Sequence, residues 1–125
     1  MKKKMVSTTI VTLEAMAKKQ QKYHAESLTI DGHRFDSLAE AKRYGELHML
    51  QMTKAIETLI VHPKFPIYIA GTKICDVVLD FQYVKDHQFI YEDVKGFDNP
   101  LSRLKRKLLE AVYGFKVSVI KEAKR

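Results

Sequence analysis

Three charged side chains, Glu92, Asp93 and Lys95, lie within one apolar run of the sequence, "FIYEDVKG". Charged groups are rarely buried unless they are paired or bind an ion, so this cluster needs a physical reason. Because alternate residues of a strand share a face, Asp93 and Lys95 point the same way and Glu92 points to the other side. Upstream, Asp80 lies in a second apolar run, "VVLDF". A short hairpin would place Asp80 beside Asp93.

Two neighbouring carboxylates repel each other unless a cation lies between them. Mg²⁺ suits this position, because proteins bind it with one or two carboxylates together with waters and substrate phosphate oxygens. A lysine two residues after the second carboxylate could orient or deprotonate an attacking water, or neutralise charge that develops on a phosphate. The alternative is that Asp80 only ends its strand and that Asp93 and Lys95 form an exposed ion pair.

The segments around these residues predict the elements that position them. "SLTIDGHRF" is typical of a hairpin that turns at Asp31-Gly32. "DSLAEAKRYGELHMLQM" predicts a helix with one apolar stripe. The residues of this stripe are Leu38, Ala41, Gly45, Met49 and Met52.

Three strand-like runs follow the helix, "IETLIVH", "FPIYIA" and "TKICDVVLDFQYV", and then a "KDHQ" turn precedes the charged strand. A basic helix from about Leu101 to Tyr113 should end at Gly114, and "FKVSVI" should form the last strand. The order of helix, several antiparallel strands, helix and strand predicts an α/β fold of the α+β sandwich type.

Composition and charge narrow the classes of function. The chain has 125 residues, 46% of them hydrophobic, and a formal net charge of +7, which indicates one compact domain and a polyanionic partner. Residues 1–22 contain six Lys and one Glu, and residues 95–125 contain nine Lys or Arg and three acids. The single cysteine favours a reducing compartment, and the absence of a long apolar run excludes a membrane span. We therefore expect a cytoplasmic protein without a membrane partner, with residues 1–27 as a basic appendage to a domain over 28–125.

Several motifs resemble a known nuclease superfamily. "LDF", ten intervening residues and "EDVKG", preceded by a helix with the carboxylate of "SLAEA", resemble the active site of PD-(D/E)XK nucleases. More closely, "FDSLAEAKRY", "HPKF", "LDF" and "YEDVKGF…KRKLLE" resemble a phage family, domain of unknown function 1064. That family is itself similar to phage endonuclease I, a Holliday junction resolvase. The resemblance covers roughly residues 28–120.

The resemblance implies a restriction-endonuclease-like core, with a central mixed sheet flanked by helices, and a set of catalytic residues. Asp80 and Asp93 would bind Mg²⁺, with Mn²⁺ able to substitute, and Lys95 would be the catalytic lysine. Glu40 would be a further metal-binding acid from the first helix. Glu40 has a rival role, because Ser37-Leu38-Ala39-Glu40 is also a capping box. Leu79 stands where the superfamily has proline, and Asp93 stands where glutamate is commoner.

The basic helix would supply contacts to DNA phosphates close to the cleaved bond. Its candidate residues are Arg103, Lys105, Arg106 and Lys107, and a solvated helix face is the alternative for each. Tyr91, Phe97 and Tyr113 are more often core residues than platforms for bases.

By resemblance, the chain is expected to be a metal-dependent DNA endonuclease that cuts branched DNA, from a phage or prophage in a bacterial host. A junction has near two-fold symmetry and needs two cuts, which implies a homodimer, and residues 1–27 could supply the dimer contact. The alternative is a nucleic-acid-binding accessory protein of phage recombination or packaging that keeps the fold without turnover.

Overall fold

The computed structural model describes residues 27–122. The predicted appendage and its dimer contact, residues 1–27, lie outside the described residues except for Ser27. The chain divides into two compact units, one ending at Ala55 and one beginning at Ile56. Within residues 27–122 the fold is α+β, with a mixed four-stranded sheet and two helices, which confirms the predicted class.

The described part of the first unit is a hairpin followed by a helix. Strands β1 (Leu28–Ile30) and β2 (His33–Phe35) pair antiparallel. The turn residues Asp31 and Gly32 both have positive φ, 52° and 81°, as a tight hairpin turn of this kind requires. The predicted hairpin is therefore confirmed.

Helix α1 (Leu38–Met52) buries a different stripe from the predicted one. Ala41 and Gly45 are buried as expected, but Tyr44 is also buried, whereas Met49 and Met52 are exposed. Contacts with the hairpin explain the difference, because the Tyr44 ring lies 5.3 Å from that of Phe35 and its hydroxyl donates to Asp31 Oδ2 at 2.7 Å. Burial, followed by the bond to Asp31, raises the pKa of Tyr44.

The described part of the second unit, residues 56–122, contains six strands and one helix. In chain order these are β3 (Glu57–Val61), β4 (Lys64–Ile69), β5 (Thr72–Val78), β6 (Phe81–Lys85), β7 (Gln88–Lys95), α2 (Pro100–Tyr113) and β8 (Val117–Lys121). The four-stranded sheet has the order β3-β6-β7-β8, in which β7 and β8 are parallel and the other pairs are antiparallel. Strands β4 and β5 pair separately as a hairpin. The charged strand β7 is thus an inner strand of the sheet.

A sharp bend interrupts the long ribbon that β3–β4 and β5–β6 form together. The pairs Val61↔Phe81 and Lys64↔Val78 flank the bend in one continuous register. Between them, His62 N donates to Asp80 O at 2.9 Å, and Leu79 N donates to Pro63 O at 3.0 Å. The prediction of a single strand through "TKICDVVLDFQYV" is therefore wrong, because the chain bends at Leu79-Asp80 opposite His62, whose φ is 58°.

The β4–β5 hairpin packs with α2 around a small apolar core. This core contains Ile67, Val77, Leu79 and Leu109, with the stacked rings of Tyr91 and Phe115 at its margin. Helix α2 begins after Asn99, whose side chain accepts from Ser102 N at 2.8 Å, and it ends at Gly114 with φ 85°. Both ends agree with the sequence, because Asn is a preferred N-cap and a left-handed glycine commonly ends a helix. The core fixes α2 against the face of β7 that carries Asp93.

Candidate functional site

Asp80 lies directly across from the charged segment of β7. The β6–β7 register ends at the pair of Phe81 with Glu92. Asp80 N donates to Glu92 O at 3.1 Å, and Asp80 Oδ2 accepts from Val94 N at 2.6 Å. Asp80 is therefore hydrogen-bonded to the residues on both sides of Asp93, and a metal site shared by Asp80 and Asp93 stays a prediction.

Asp93 and Lys95 share the face of β7 that α2 covers. The Asp93 side chain is only 9% exposed, and the Lys95 side chain is 22% exposed. Lys95 Nζ lies 3.4 Å from Asp93 Oδ2 and 3.4 Å from Ser102 Oγ of α2. The pair is therefore largely enclosed rather than a solvated surface pair, so water screens its attraction less.

Arg106 is a second cation beside Asp93 and is also held by the loop before α2. Its Nη1 lies 3.7 Å from Asp93 Oδ2. Its guanidinium donates to both carboxylate oxygens of Asp98, at 2.9 and 2.6 Å. This forked bond raises the pKa of Arg106 and lowers the pKa of Asp98. The turn "FDNP" therefore ties the β7–α2 connection to the charged face.

Asp93, Lys95, Lys105 and Arg106 line one cleft with a volume of about 220 Å³. Its opposite side is formed by β5, where Asp76 faces the same space. Among the described residues, Asp76 Oδ1 is a buried side-chain oxygen without a hydrogen bond, although Lys73 Nζ lies 3.1 Å from it. The cleft thus holds two carboxylates and three cations, which suits it to an anionic ligand.

His62 is a candidate that the sequence interpretation missed. A ring nitrogen of His62 and a carboxylate oxygen of Asp80 lie within 4.8 Å of each other, because the two residues face each other across the bend. The five histidines of the chain are too scattered in sequence to indicate a metal site. No pattern in the sequence indicated His62, because its place opposite Asp80 depends on the bend between β5 and β6.

Glu40 forms the helix cap that was its rival role. Ser37 is the N-cap of α1, and its Oγ accepts from Glu40 N at 3.2 Å. The Glu40 carboxylate accepts from Asp36 N at 3.3 Å, one residue before the cap amide of the expected box. The capping interaction is therefore present in the first unit, and the metal role of Glu40 stays a prediction.

Glu92 differs from the expectation of an exposed or supporting acid that faces away from Asp93. It does face away, but it is buried, with 2% exposure. The hydroxyl of Tyr83, on the neighbouring strand β6, donates to Glu92 Oε2. Burial and this bond make Glu92 a structural acid of the sheet face opposite to the cleft.

The four basic residues of α2 occupy different surroundings. Lys105 and Arg106 line the cleft, whereas Arg103 and Lys107 are exposed to solvent. Arg103 Nη1 donates to Asp98 O at 2.6 Å, so both arginines hold the same loop. The DNA contacts predicted for these four residues stay a prediction, and Arg106 has a clear positioning role.

A family of proteins matches most of the chain. Its description is "Protein of unknown function (DUF1064)", and the match covers residues 20–124. The chain belongs to this family. No curated protein and no solved structure matches the chain. Neither helix in residues 27–122 is long and apolar enough to cross a membrane.

Proposed function

We propose that the protein is a metal-dependent DNA endonuclease that acts on branched DNA. One observation carries the proposal: Asp80, at the bend before β6, is hydrogen-bonded to the two residues that flank Asp93, and Lys95 lies on the Asp93 face of β7 with Nζ 3.4 Å from Asp93. These are the residue types that the resemblance to PD-(D/E)XK nucleases assigns to metal binding and catalysis. Their arrangement on an inner strand supports that assignment.

The donor atoms near Asp80 fit a small divalent cation. Asp80 and Asp93 offer carboxylate oxygens, the ligands that Mg²⁺ and Mn²⁺ prefer. His62 adds an imidazole nitrogen within 4.8 Å of an Asp80 oxygen. Asp80 and His62 have donor atoms close enough to hold an ion, and the resemblance adds Asp93 to this set. Mg²⁺ or Mn²⁺ would supply an activated water for phosphodiester hydrolysis.

The chain's own residues have separate tasks in this proposal. Lys95 lines the cleft with its ammonium group, which can orient an attacking water and neutralise charge on a phosphate oxygen. Arg106 keeps Asp93 in position through its contact at 3.7 Å and is itself oriented by Asp98. Lys105 faces the same cleft and would contact the DNA backbone, as Arg103 and Lys107 would on the exposed part of the helix.

The homodimer, the phage origin and the preference for junctions rest on the family resemblance alone. A nucleic-acid-binding accessory protein without turnover is the second candidate. The enclosed ion pairs of Asp93 with Lys95 and Arg106 favour it, because such pairs also occur as purely structural contacts. The two candidates differ in whether any DNA is cut.

The test is an incubation of the purified full chain with labelled linear, nicked, flapped and four-way DNA, with Mg²⁺, with Mn²⁺ and with a chelator. Metal-dependent cleavage of the branched substrates is expected. The Asp93→Asn variant should bind the same DNA and leave it intact, since the basic contacts to phosphate remain. Binding without cleavage by the unaltered protein in either metal would favour the accessory protein.

A further inference from the structure

The loop between β7 and α2 carries an exposed aromatic ring. Phe97 is 81% exposed, the highest value among the large hydrophobic side chains of residues 27–122. The expectation that it belongs to the core is therefore wrong. Burial of a phenylalanine is normally favourable, so an isolated ring in water beside a charged cleft suggests a ligand.

Both ends of this loop are fixed, so the ring stands on a defined support. On one side, Lys95 is the last residue of β7, and its carbonyl accepts from Glu122 N at 3.0 Å. On the other side, Asp98 is held by the forked bond from Arg106, and Asn99 caps α2. A loop with both ends fixed loses less conformational entropy on binding than a free one, which favours recognition.

The chemistry around Phe97 is both apolar and basic. Leu101 and Leu104, on the first turns of α2, are 63% and 55% exposed. Arg103 and Lys107 are exposed on the same helix. Residues 95–113 contain five Lys or Arg against two acids. An exposed aromatic ring close in sequence to exposed cations is the combination that binds unstacked bases, because a base stacks on the ring and phosphates contact the cations.

We propose that Phe97 stacks on a base whose own stacking is interrupted at the branch point of the DNA substrate. This inference rests on the proposed nuclease function and assigns its preference for branched over linear DNA to one side chain. In a continuous duplex each base is stacked on both faces, so a ring gains a partner only where the helix is interrupted. Only Gly96 separates Phe97 from Lys95 in the sequence, so the cut should fall at a short and constant distance from the branch.

The experiment measures binding without divalent ion, so that cleavage does not interfere. The ligands are a flapped DNA, a four-way DNA and a linear duplex of equal length, with 2-aminopurine at the branch as a fluorescent probe of stacking. Phe97→Ala should lose about 5- to 150-fold in affinity for both branched ligands, with less quenching of the probe. Its affinity for the duplex should stay within about twofold, because phosphate contacts dominate there.

Two further variants make the test specific. Phe97→Trp should restore the affinity and the quenching, because stacking needs only an aromatic face. Phe89→Ala is the matched control, since Phe89 is also exposed, at 61%, but lies at the other end of β7. Thermal unfolding should show both alanine variants to be folded.

The remaining outcomes separate failure of this inference from failure of the proposed nuclease function. Unchanged affinity of Phe97→Ala for branched DNA, or an equal loss on the duplex, removes the stacking role while cleavage by the unaltered protein can stand. Phe97-dependent binding of branched DNA without cleavage in any metal supports the stacking role and removes the nuclease. If Phe97→Ala changes only the mass measured by sedimentation and not DNA binding, Phe97 is a contact between protein chains instead.

Discussion

Replacement of Lys95 by methionine separates catalysis from structure most sharply. Methionine nearly keeps the length of the side chain and removes its charge. In the folded protein the lost contacts are those from Nζ to Asp93 Oδ2 and to Ser102 Oγ, both at 3.4 Å. Asp93 keeps a second cation, since Arg106 Nη1 lies 3.7 Å away. The loss of stability should therefore be about 1 kcal/mol, between the values for exposed and fully buried pairs.

The effect on catalysis should be far larger than this structural cost. A general acid or base contributes about 10²- to 10⁴-fold to a rate, so Lys95→Met should slow single-turnover cleavage of branched DNA by that factor. The melting temperature should fall by only about 4 °C, from the stated loss of stability in a domain of this size. Both quantities are measured on the same protein preparation, at several Mg²⁺ concentrations.

Lys73→Met is the matched control. Lys73 Nζ lies 3.1 Å from Asp76 Oδ1, a Lys–Asp pair of similar length outside the proposed catalytic set. Its loss should leave the cleavage rate close to that of the unaltered protein. If Lys95→Met keeps more than about a tenth of the rate, or if both lysine variants slow equally, the catalytic role of Lys95 is refuted.

Five further substitutions, in three sets, test the remaining residues. Asp80→Asn and Asp93→Asn should each fold, bind branched DNA and lose metal-dependent cleavage. Calorimetric titration with Mn²⁺ measures metal binding, and a gel assay measures cleavage. Full cleavage by either variant would contradict the proposed metal site. If the Glu40 carboxylate binds the metal, Glu40→Gln should keep most of the helix cap and cut poorly at low Mg²⁺. Ser37→Ala should lose about 0.5–2 kcal/mol of stability and still cut. Normal cleavage by the glutamine variant would leave only the capping role. The folded pKa of Asp98 is lowered by its arginine partner. Its ion pair should therefore contribute stability above the unfolded pKa of about 3.9, and this stability should be lost as pH falls through the folded pKa. Asp98→Asn should flatten the acid limb of a plot of melting temperature against pH, and an unchanged limb would mean that the pair contributes nothing.

Local chemistry made much of the fold predictable from the sequence. The turn at Asp31-Gly32 and the end of α2 at Gly114 both need residues that accept a positive φ. The identities of these residues therefore predict both features. The break at Leu79-Asp80 could not be predicted in the same way. An apolar run has the same appearance whether it continues straight or bends, and the bend is set by His62 and Pro63, some 17 residues earlier in the chain.

The candidate site was predictable where it depends on alternation along a strand. The shared face of Asp93 and Lys95 follows from a period of two, and the structure has that arrangement. The contacts that come from other elements were not predictable. Arg106 reaches both Asp93 and Asp98 only because the packing of Leu109 in the core sets the rotation of α2. The spacing of these residues in the sequence does not indicate how α2 is rotated.

The charges around Asp93 explain why the loop after β7 matters for the proposed activity. A carboxylate that is 9% exposed between two cations is held in one orientation, and such orientation is what a metal ligand needs before the ion binds. Asp98 determines where the Arg106 guanidinium lies, and the same short loop presents Phe97 to solvent. A base bound on that ring and a phosphate bound in the cleft would therefore be placed by one rigid connection. This coupling gives a physical reason why the distance from the branch to the cut should be constant.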